Sequence, residues 1–164
     1  MLIDFIYLLY SIAIVIYAIN YFKKKFDVNL KYFLAYLVSM LFFEIMAKFL
    51  KPFTEGTNLW VYNILTFVEF NCLLLFINGI LSSKLSKRFL NYFIILFNII
   101  YFSSSLYYVF EGNYILTYNS ISSISGSFLV TGAVFLFFKD FINSDRILNF
   151  KKSLPFWISL DVLV

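Results

Sequence analysis

The sequence predicts an all-α fold, a polytopic bundle of transmembrane helices, and three observations support this. Hydrophobic residues make up 62% of the chain and charged residues only 13%, whereas globular chains carry about a quarter charged residues. Five apolar runs of about 19 to 24 residues are each long enough to cross a hydrocarbon core of roughly 30 Å as a helix. Apolar and polar residues do not alternate along these runs as they do in the strands of a membrane barrel. A helix satisfies its own backbone hydrogen bonds in lipid, so helices are expected.

The first two runs cover residues 2–22 and 32–50. Asp4 lies near the start of the first run and three lysines follow it, the reverse of the charge order in a cleavable signal peptide. We therefore expect this run to remain as an anchor. The second run is interrupted by Glu44 and Lys48, an acid and a base four residues apart in the order that favours a helical ion pair.

The next three runs cover residues 59–81, 89–110 and 115–138. The loops between them are short, so neighbouring helices are expected to pack antiparallel. No soluble domain or linker interrupts them, and residues 1–164 are predicted to form a single transmembrane helical domain.

A sixth apolar run, residues 154–164, reaches only about 16 Å as a helix and cannot cross. One interpretation is an incomplete sixth span, cut from a parent protein of six or seven passes. A chain end in the middle of the bilayer would leave a carboxylate and unpaired carbonyl groups in the hydrocarbon core. The alternative is a short segment at the membrane interface, helped by Asp161. The first interpretation is favoured.

The loop charges predict that the N-terminus lies outside the cell. Eleven of the 13 Lys and Arg residues fall in three segments on one side, residues 23–31, 84–88 and 139–152. Positive residues in short loops stay cytoplasmic, so five full spans run from an outer N-terminus. The abundance of residues with AT-rich codons suggests a bacterium, and the predicted location is its inner membrane, with the lipid bilayer as the main partner.

The composition excludes several kinds of site. The chain has no His, which removes the commonest general base and metal ligand. Its single Cys, Cys72, can form neither an internal disulfide nor a thiolate metal site. No basic patch stands apart from the spans, so nucleic acid is not expected. We therefore predict no catalytic residues, no metal and no cofactor, and we expect that the protein is not an enzyme.

The polar residues of greatest interest lie at the start of the third run. With Asn58 before it, this stretch reads NLWVYNILTFVEF, residues 58–70. At about 100° per residue, Tyr62, Thr66 and Glu69 share one helix face, with Asn63 beside them. Glu69 falls near the bilayer middle, where a charged side chain costs at least about 2.5 kcal/mol. The short loop to the second helix brings Glu44 to the level of this stripe. These five residues are the predicted polar cluster or ligand site.

Smaller signals in the fourth and fifth runs indicate packing. Ser122 and Gly126, like Ser123 and Ser127, are small residues four apart, a spacing that lets helices approach closely. Asn98 is expected to join the polar interior.

The segment NLWVYNILTFVEF at 58–70, the acid Glu44 in the preceding helix and LPFWISL at 154–160 together resemble a group of uncharacterised multi-pass inner-membrane proteins from Bacteroidota-type bacteria. Those proteins continue past the FWIS stretch into further passes. The resemblance implies the membrane location, but the group supplies no activity to transfer.

Two classes of function remain open. The first is a sensing, binding or structural membrane module with an intramembrane polar pocket, which could assemble with other membrane subunits. The alternative is a component of a proton- or solute-coupled transporter that uses Glu69. The only two Pro residues, Pro52 and Pro155, fall at helix ends, which counts against the second. Buried Glu, Asn and Thr can also act only as links between helices.

Overall fold

All the described residues that form regular structure are helical. The computed structural model describes residues 2–22, 31–53, 57–143 and 153–162, and these ranges contain no strand. In chain order the helices are α1 Leu2–Phe22, α2 Lys31–Leu50, α3 Leu59–Ile80, α4 Lys84–Phe110, α5 Ser120–Ile142 and α6 Leu154–Asp161, with a 3-10 turn at Lys51–Phe53. The predicted all-α fold is confirmed.

Four helices, α2 to α5, are long and apolar enough to cross a membrane, and α1 has a shorter apolar stretch over Tyr10–Phe22. Large apolar side chains cover the outer surface of the bundle; Phe49 is 72% exposed and Phe128 is 76% exposed. Proteins that live in water rarely expose large contiguous apolar patches. Together these helices suggest a membrane-embedded protein.

Helix α3 is the central helix of the bundle. Half of its most apolar window (50%) is buried inside the protein, compared with 11% for α2, 17% for α4 and 33% for α5. It packs against α2, α4 and α5. Two polar residues of α3, Asn63 and Thr66, are buried among these helices.

Close packing of α3 on α5 depends on Gly126. A Cβ atom at this position would overlap the ring of Phe70, and Phe70 also contacts Phe97 of α4 with ring centroids 5.4 Å apart. The absence of a side chain at Gly126 thus admits an aromatic ring into the centre of three helices. The small-residue spacing in α5 predicted close approach, and the structure shows what fills the space.

Asparagines join α3 to α4 in a ladder. The Asn98 amide donates to Asn71 Oδ1 at 2.9 Å, and the Asn78 amide donates to Asn91 Oδ1 at 2.9 Å. The two residues on each helix are seven apart, so they share a face, and the helices run antiparallel. Asn98 was expected to join the polar interior; its partner is Asn71, which lies on a different face of α3 from Thr66.

The start of α4 is fixed by its own cap and by α5. Helix α4 begins at Lys84, five residues before the apolar run, because Ser83 caps it and accepts from Ser86 N. The Asp140 carboxylate accepts from Ser83 N at 2.9 Å and from Ser86 Oγ at 2.7 Å. A carboxylate at a helix N-terminus satisfies free N–H groups and interacts favourably with the helix dipole.

Helix α4 ends in a Schellman motif. Gly112 has φ 71°, a left-handed conformation that favours glycine. The N–H groups of Gly112 and Asn113 donate to the carbonyls of Val109 and Tyr108, at 3.0 and 2.9 Å. The chain is thereby turned sharply into the segment that precedes α5.

Helix α5 begins at Ser120, not at residue 115 where the predicted span starts. The Asn63 side chain of α3 holds the preceding segment out of the helix: its Nδ2 donates to the carbonyls of Tyr114 and Thr117 at 3.1 and 3.0 Å, and its Oδ1 accepts from Asn119 N at 2.8 Å. Asn119 then caps α5 by accepting from Ser122 N. Apolar run length could not reveal this, because the partner lies 51 or more residues away.

Helix α6 is short and folds back on the bundle. Its eight residues, Leu154–Asp161, follow the N-cap Ser153. Phe156 packs against Phe138 and Phe141 with centroid separations of 5.6 and 5.3 Å. The described part of the sixth run therefore packs against α5.

Candidate functional site: two cavities that share Glu69

The predicted polar residues of α2 and α3 line a cavity between these helices, which we call the α2–α3 cavity. Its volume is about 320 Å³, and Glu44, Tyr62, Thr66, Glu69 and Tyr118 supply its polar lining. Asn58 helps to close the hairpin, because its Nδ2 donates to the Ala47 carbonyl at 3.2 Å. Four of the five predicted site residues therefore meet around one space.

Hydrogen bonds fix four side chains in this cavity. The Tyr62 hydroxyl donates to Glu44 Oε2 at 3.4 Å. Thr66 Oγ1 donates to the Tyr62 carbonyl at 2.9 Å and lies 3.3 Å from the Tyr118 hydroxyl. Since Thr66 has one proton and gives it to the carbonyl, Tyr118 is the donor in the second contact. Glu44 and the two phenols are thus held in place before any ligand arrives.

The fifth predicted residue, Asn63, does not line this cavity. It is fully buried at 0% exposure and uses both amide protons and its oxygen on the backbone before α5. The Tyr101 hydroxyl donates to its carbonyl at 3.2 Å. The structure places Asn63 as a link between α3, α4 and the 113–119 segment, one face away from Tyr62 and Thr66.

A second space, the central cavity, lies between α1, α2, α3, α5 and α6. It has a volume of about 470 Å³, and its polar lining comes from Tyr10, Tyr36, Glu69, Ser123, Ser127, Thr131 and Asp161. Apolar side chains such as Phe33 and Leu73 complete the wall. This space is larger than the first and also contains two carboxylates.

Among the residues that the structure describes, Glu69 alone lines both cavities. Its side chain is half-buried, and in the part of the chain that the structure describes it has no hydrogen-bond or ion-pair partner. A carboxylate in such a position can accept hydrogen bonds from water or from a ligand on either side. Because no Lys or Arg among the described residues lines either cavity, Glu69 has no fixed cation to neutralise it there.

Sequence reasoning missed four polar contributors to the central cavity, namely Tyr10, Tyr36, Thr131 and Asp161. Tyr36 lies eight residues before Glu44, two turns along the same face of α2, and Thr131 extends the Ser123 and Ser127 spacing by one more turn of α5. Both could have been found by following the four-residue spacing further. Asp161 was considered only as an aid to an interfacial segment, because its approach to Glu69 depends on how α6 packs.

The arrangement offers hydrogen-bond acceptors and phenols. In the searched part of the chain no three His, Cys, Asp or Glu residues come together to hold a metal ion. Cys72, also on α3, lines neither cavity. Carboxylates flanked by tyrosine rings suit a positively charged organic group, through charge and through cation–π attraction.

Comparison with protein-family models, with curated proteins and with solved structures finds no match to the chain. The resemblance to Bacteroidota-type inner-membrane proteins thus stays a hypothesis. Any function must be argued from the site itself.

Proposed function

We propose that the chain is a multi-pass protein of a bacterial inner membrane that binds a small organic ammonium ion in the α2–α3 cavity. The observation that carries this proposal is the convergence of Glu44, Glu69, Tyr62 and Tyr118 on one space of about 320 Å³. Ligand sites fall between about 300 and 1,000 Å³ and combine apolar walls with a few fixed polar groups. Met40, Leu59 and Leu65 supply the apolar wall here.

The proposed topology has five spans with the N-terminus outside. The bias of Lys and Arg toward residues 23–31, 84–88 and 139–152 supports it. The loop between α2 and α3 then faces outward, and Glu44, six residues from the end of α2, lies about 9 Å below it. The cavity is thus expected to receive its ligand from outside the cell.

Charge favours a cation as the ligand. An anion would meet two carboxylates in a cavity that no described Lys or Arg lines, whereas a cation satisfies them and contacts two aromatic rings. The Tyr62–Glu44 hydrogen bond holds one carboxylate in place, so less ordering is required when the ligand binds. A neutral molecule of the same shape lacks both attractions.

Thermal unfolding of the purified full chain in detergent tests the proposal with choline chloride as the probe. We expect choline to raise the Tm of the wild type, whereas sodium chloride at equal ionic strength and 3,3-dimethylbutanol, its uncharged analogue, do not. A ligand at ten times its Kd stabilises the folded state by about 1.4 kcal/mol. Ethylammonium and tetramethylammonium chlorides extend the probe set.

Matched variants locate the effect. Glu44→Gln keeps the shape of the side chain and removes its charge, so the choline shift should disappear. Glu111→Gln removes one acid from the exposed turn after α4 and should leave the shift intact. If none of the three ammonium ions raises the Tm, or if Glu44→Gln responds like the wild type, the ligand proposal is wrong. A purely structural role for the polar residues predicts changes in Tm without any response to ligand.

A further inference from the structure

Beyond ligand binding, the two cavities meet at one carboxylate of α3. In the described ranges Glu69 is the single residue common to both. Each cavity has a further carboxylate, Glu44 in the α2–α3 cavity and Asp161 in the central cavity. We infer that Glu69 transfers protons between the α2–α3 cavity and the central cavity, with Asp161 as the next proton-accepting group. The inference does not depend on the identity of any ligand.

Glu44 lies near one end of the bundle, and Asp161 is the last residue of α6, about 10 Å along that helix from Leu154. Glu44 and Tyr118 lie near the segments that join α2 to α3 and α4 to α5. Asp161 belongs to α6, which follows the basic segment 139–152 at the other end of α5. Glu69 is about 15 Å along α3 from its first residue.

Both cavities have room and partners for water. Water occupies about 30 Å³ per molecule in the liquid, so spaces of about 320 and 470 Å³ hold several molecules each. Ordered water needs two to four polar partners. Tyr62, Thr66 and Tyr118 supply hydroxyls on one side of Glu69, while Tyr36, Ser127 and Thr131 supply them on the other.

The groups facing Glu69 are compatible with proton exchange. The titratable groups that share its cavities are Tyr10 of α1, Tyr36 and Glu44 of α2, Tyr62 of α3, Tyr118 of the segment before α5, and Asp161 of α6. Helix α5 contributes only the hydroxyls of Ser123, Ser127 and Thr131. No described Lys or Arg lines either space, so no permanent ion pair holds Glu69 in its charged form.

The transfer has two balanced steps. A hydronium ion in the α2–α3 cavity gives its proton to a Glu69 carboxylate oxygen, forming the O–H bond and leaving water. That O–H bond then breaks toward a water molecule of the central cavity, which passes a proton to the Asp161 carboxylate and restores the Glu69 carboxylate. Release from Asp161 to water completes the passage, with no other bond changed.

Proton flux into liposomes tests the inference. The full chain is reconstituted in lipid vesicles that contain a pH-sensitive dye, and a pH step is applied while potassium and valinomycin hold the membrane potential at zero. We expect the wild type to acidify the vesicles faster than empty liposomes do. Glu69→Gln, which cannot titrate, should return the rate to that of empty vesicles, and Asp161→Asn should reduce it at least tenfold.

Controls separate this inference from loss of fold and from the binding proposal. Glu111→Gln should conduct like the wild type, and each variant should elute as a single species with a Tm near that of the wild type. Asp161→Asn should keep its choline response, because it lies outside the α2–α3 cavity. Wild-type flux equal to that of empty vesicles overturns the inference, and so does a Glu69→Gln variant that conducts normally.

Infrared spectroscopy supplies a second readout that does not require flux. A fall in pH should produce the C=O stretch of a protonated carboxyl group that shifts in D₂O and is absent from Glu69→Gln. A wild-type spectrum without this band, or a band unaffected by the substitution, also overturns the inference.

Discussion

Replacing Asn63 by Ala should lower the free energy of unfolding far more than replacing an exposed residue by Ala would. Asn63 is fully buried, and its amide makes three hydrogen bonds to the backbone of residues 114–119, at 2.8 to 3.1 Å. Alanine leaves two carbonyls and one N–H without partners. These groups belong to a segment that has no helix of its own to satisfy them.

The expected magnitude follows from these three bonds. A hydrogen bond contributes about 1 kcal/mol net, and an unsatisfied buried group costs about 1 to 3 kcal/mol. The Asn63→Ala variant should therefore lose roughly 3 kcal/mol of unfolding free energy. Asn71→Ala is the matched control, because it removes a side chain of the same size that accepts one hydrogen bond from α4. Hydrogen bonds between helices in membranes contribute about 0.6 kcal/mol on average, with a maximum near 1.7, so this variant should lose less.

Unfolding by sodium dodecyl sulfate in mixed micelles measures these differences, and hydrogen exchange locates them. The backbone N–H of Asn119, which donates to Asn63 Oδ1, should exchange its hydrogen much faster in Asn63→Ala than in the wild type. Asn63→Asp keeps the shape of the side chain and presents a carboxylate to two carbonyls, so it should be destabilised as well. A loss below about 0.5 kcal/mol in Asn63→Ala, or an Asp variant as stable as the wild type, would refute the reasoning.

Three further predictions concern packing and caps. Gly126→Ala should lower the free energy of unfolding by about 1 to 3 kcal/mol, because the new Cβ would overlap a buried ring. Gly132→Ala should lower it less, because the nearest atom to its Cβ is 3.2 Å away. Unfolding in mixed micelles compares the two variants. Asp140→Ala should lose about 2 kcal/mol of unfolding free energy, because Ser83 N and Ser86 Oγ lose their carboxylate acceptor. Hydrogen exchange at the start of α4 should become faster. A double-mutant cycle on Asn71→Leu and Asn98→Leu should give a coupling of about 0.6 to 1.7 kcal/mol, and a coupling of zero would contradict their hydrogen bond.

Run length and composition were sufficient to predict the helices. The apolar runs correspond to α1 to α5, because a helix in lipid must be long and apolar whatever its neighbours are. The boundaries were less predictable where side chains act at a distance. Helix α5 begins at Ser120 because Asn63 holds the preceding segment, and no local pattern in residues 113–119 indicates that partner.

The candidate site was predictable where it depends on helical spacing. Tyr62, Thr66 and Glu69 share a face of α3, and the short hairpin brings Glu44 to them. Asp161 could not be placed, since its position follows from the packing of α6 rather than from any pattern in its own sequence. The second cavity, and with it the junction at Glu69, therefore appears only in the structure.

Labelling of single cysteines in intact cells tests the central claim, that the α2–α3 cavity opens outward from a membrane-spanning bundle, most directly. Cys72 is the one native cysteine, so Cys72→Ser gives a background without thiols. A membrane-impermeant thiol reagent applied outside should label Glu44→Cys in this background, and should label Lys87→Cys only after the membrane is permeabilised. Labelling of Lys87→Cys in intact cells, with Glu44→Cys unreactive, would contradict the account.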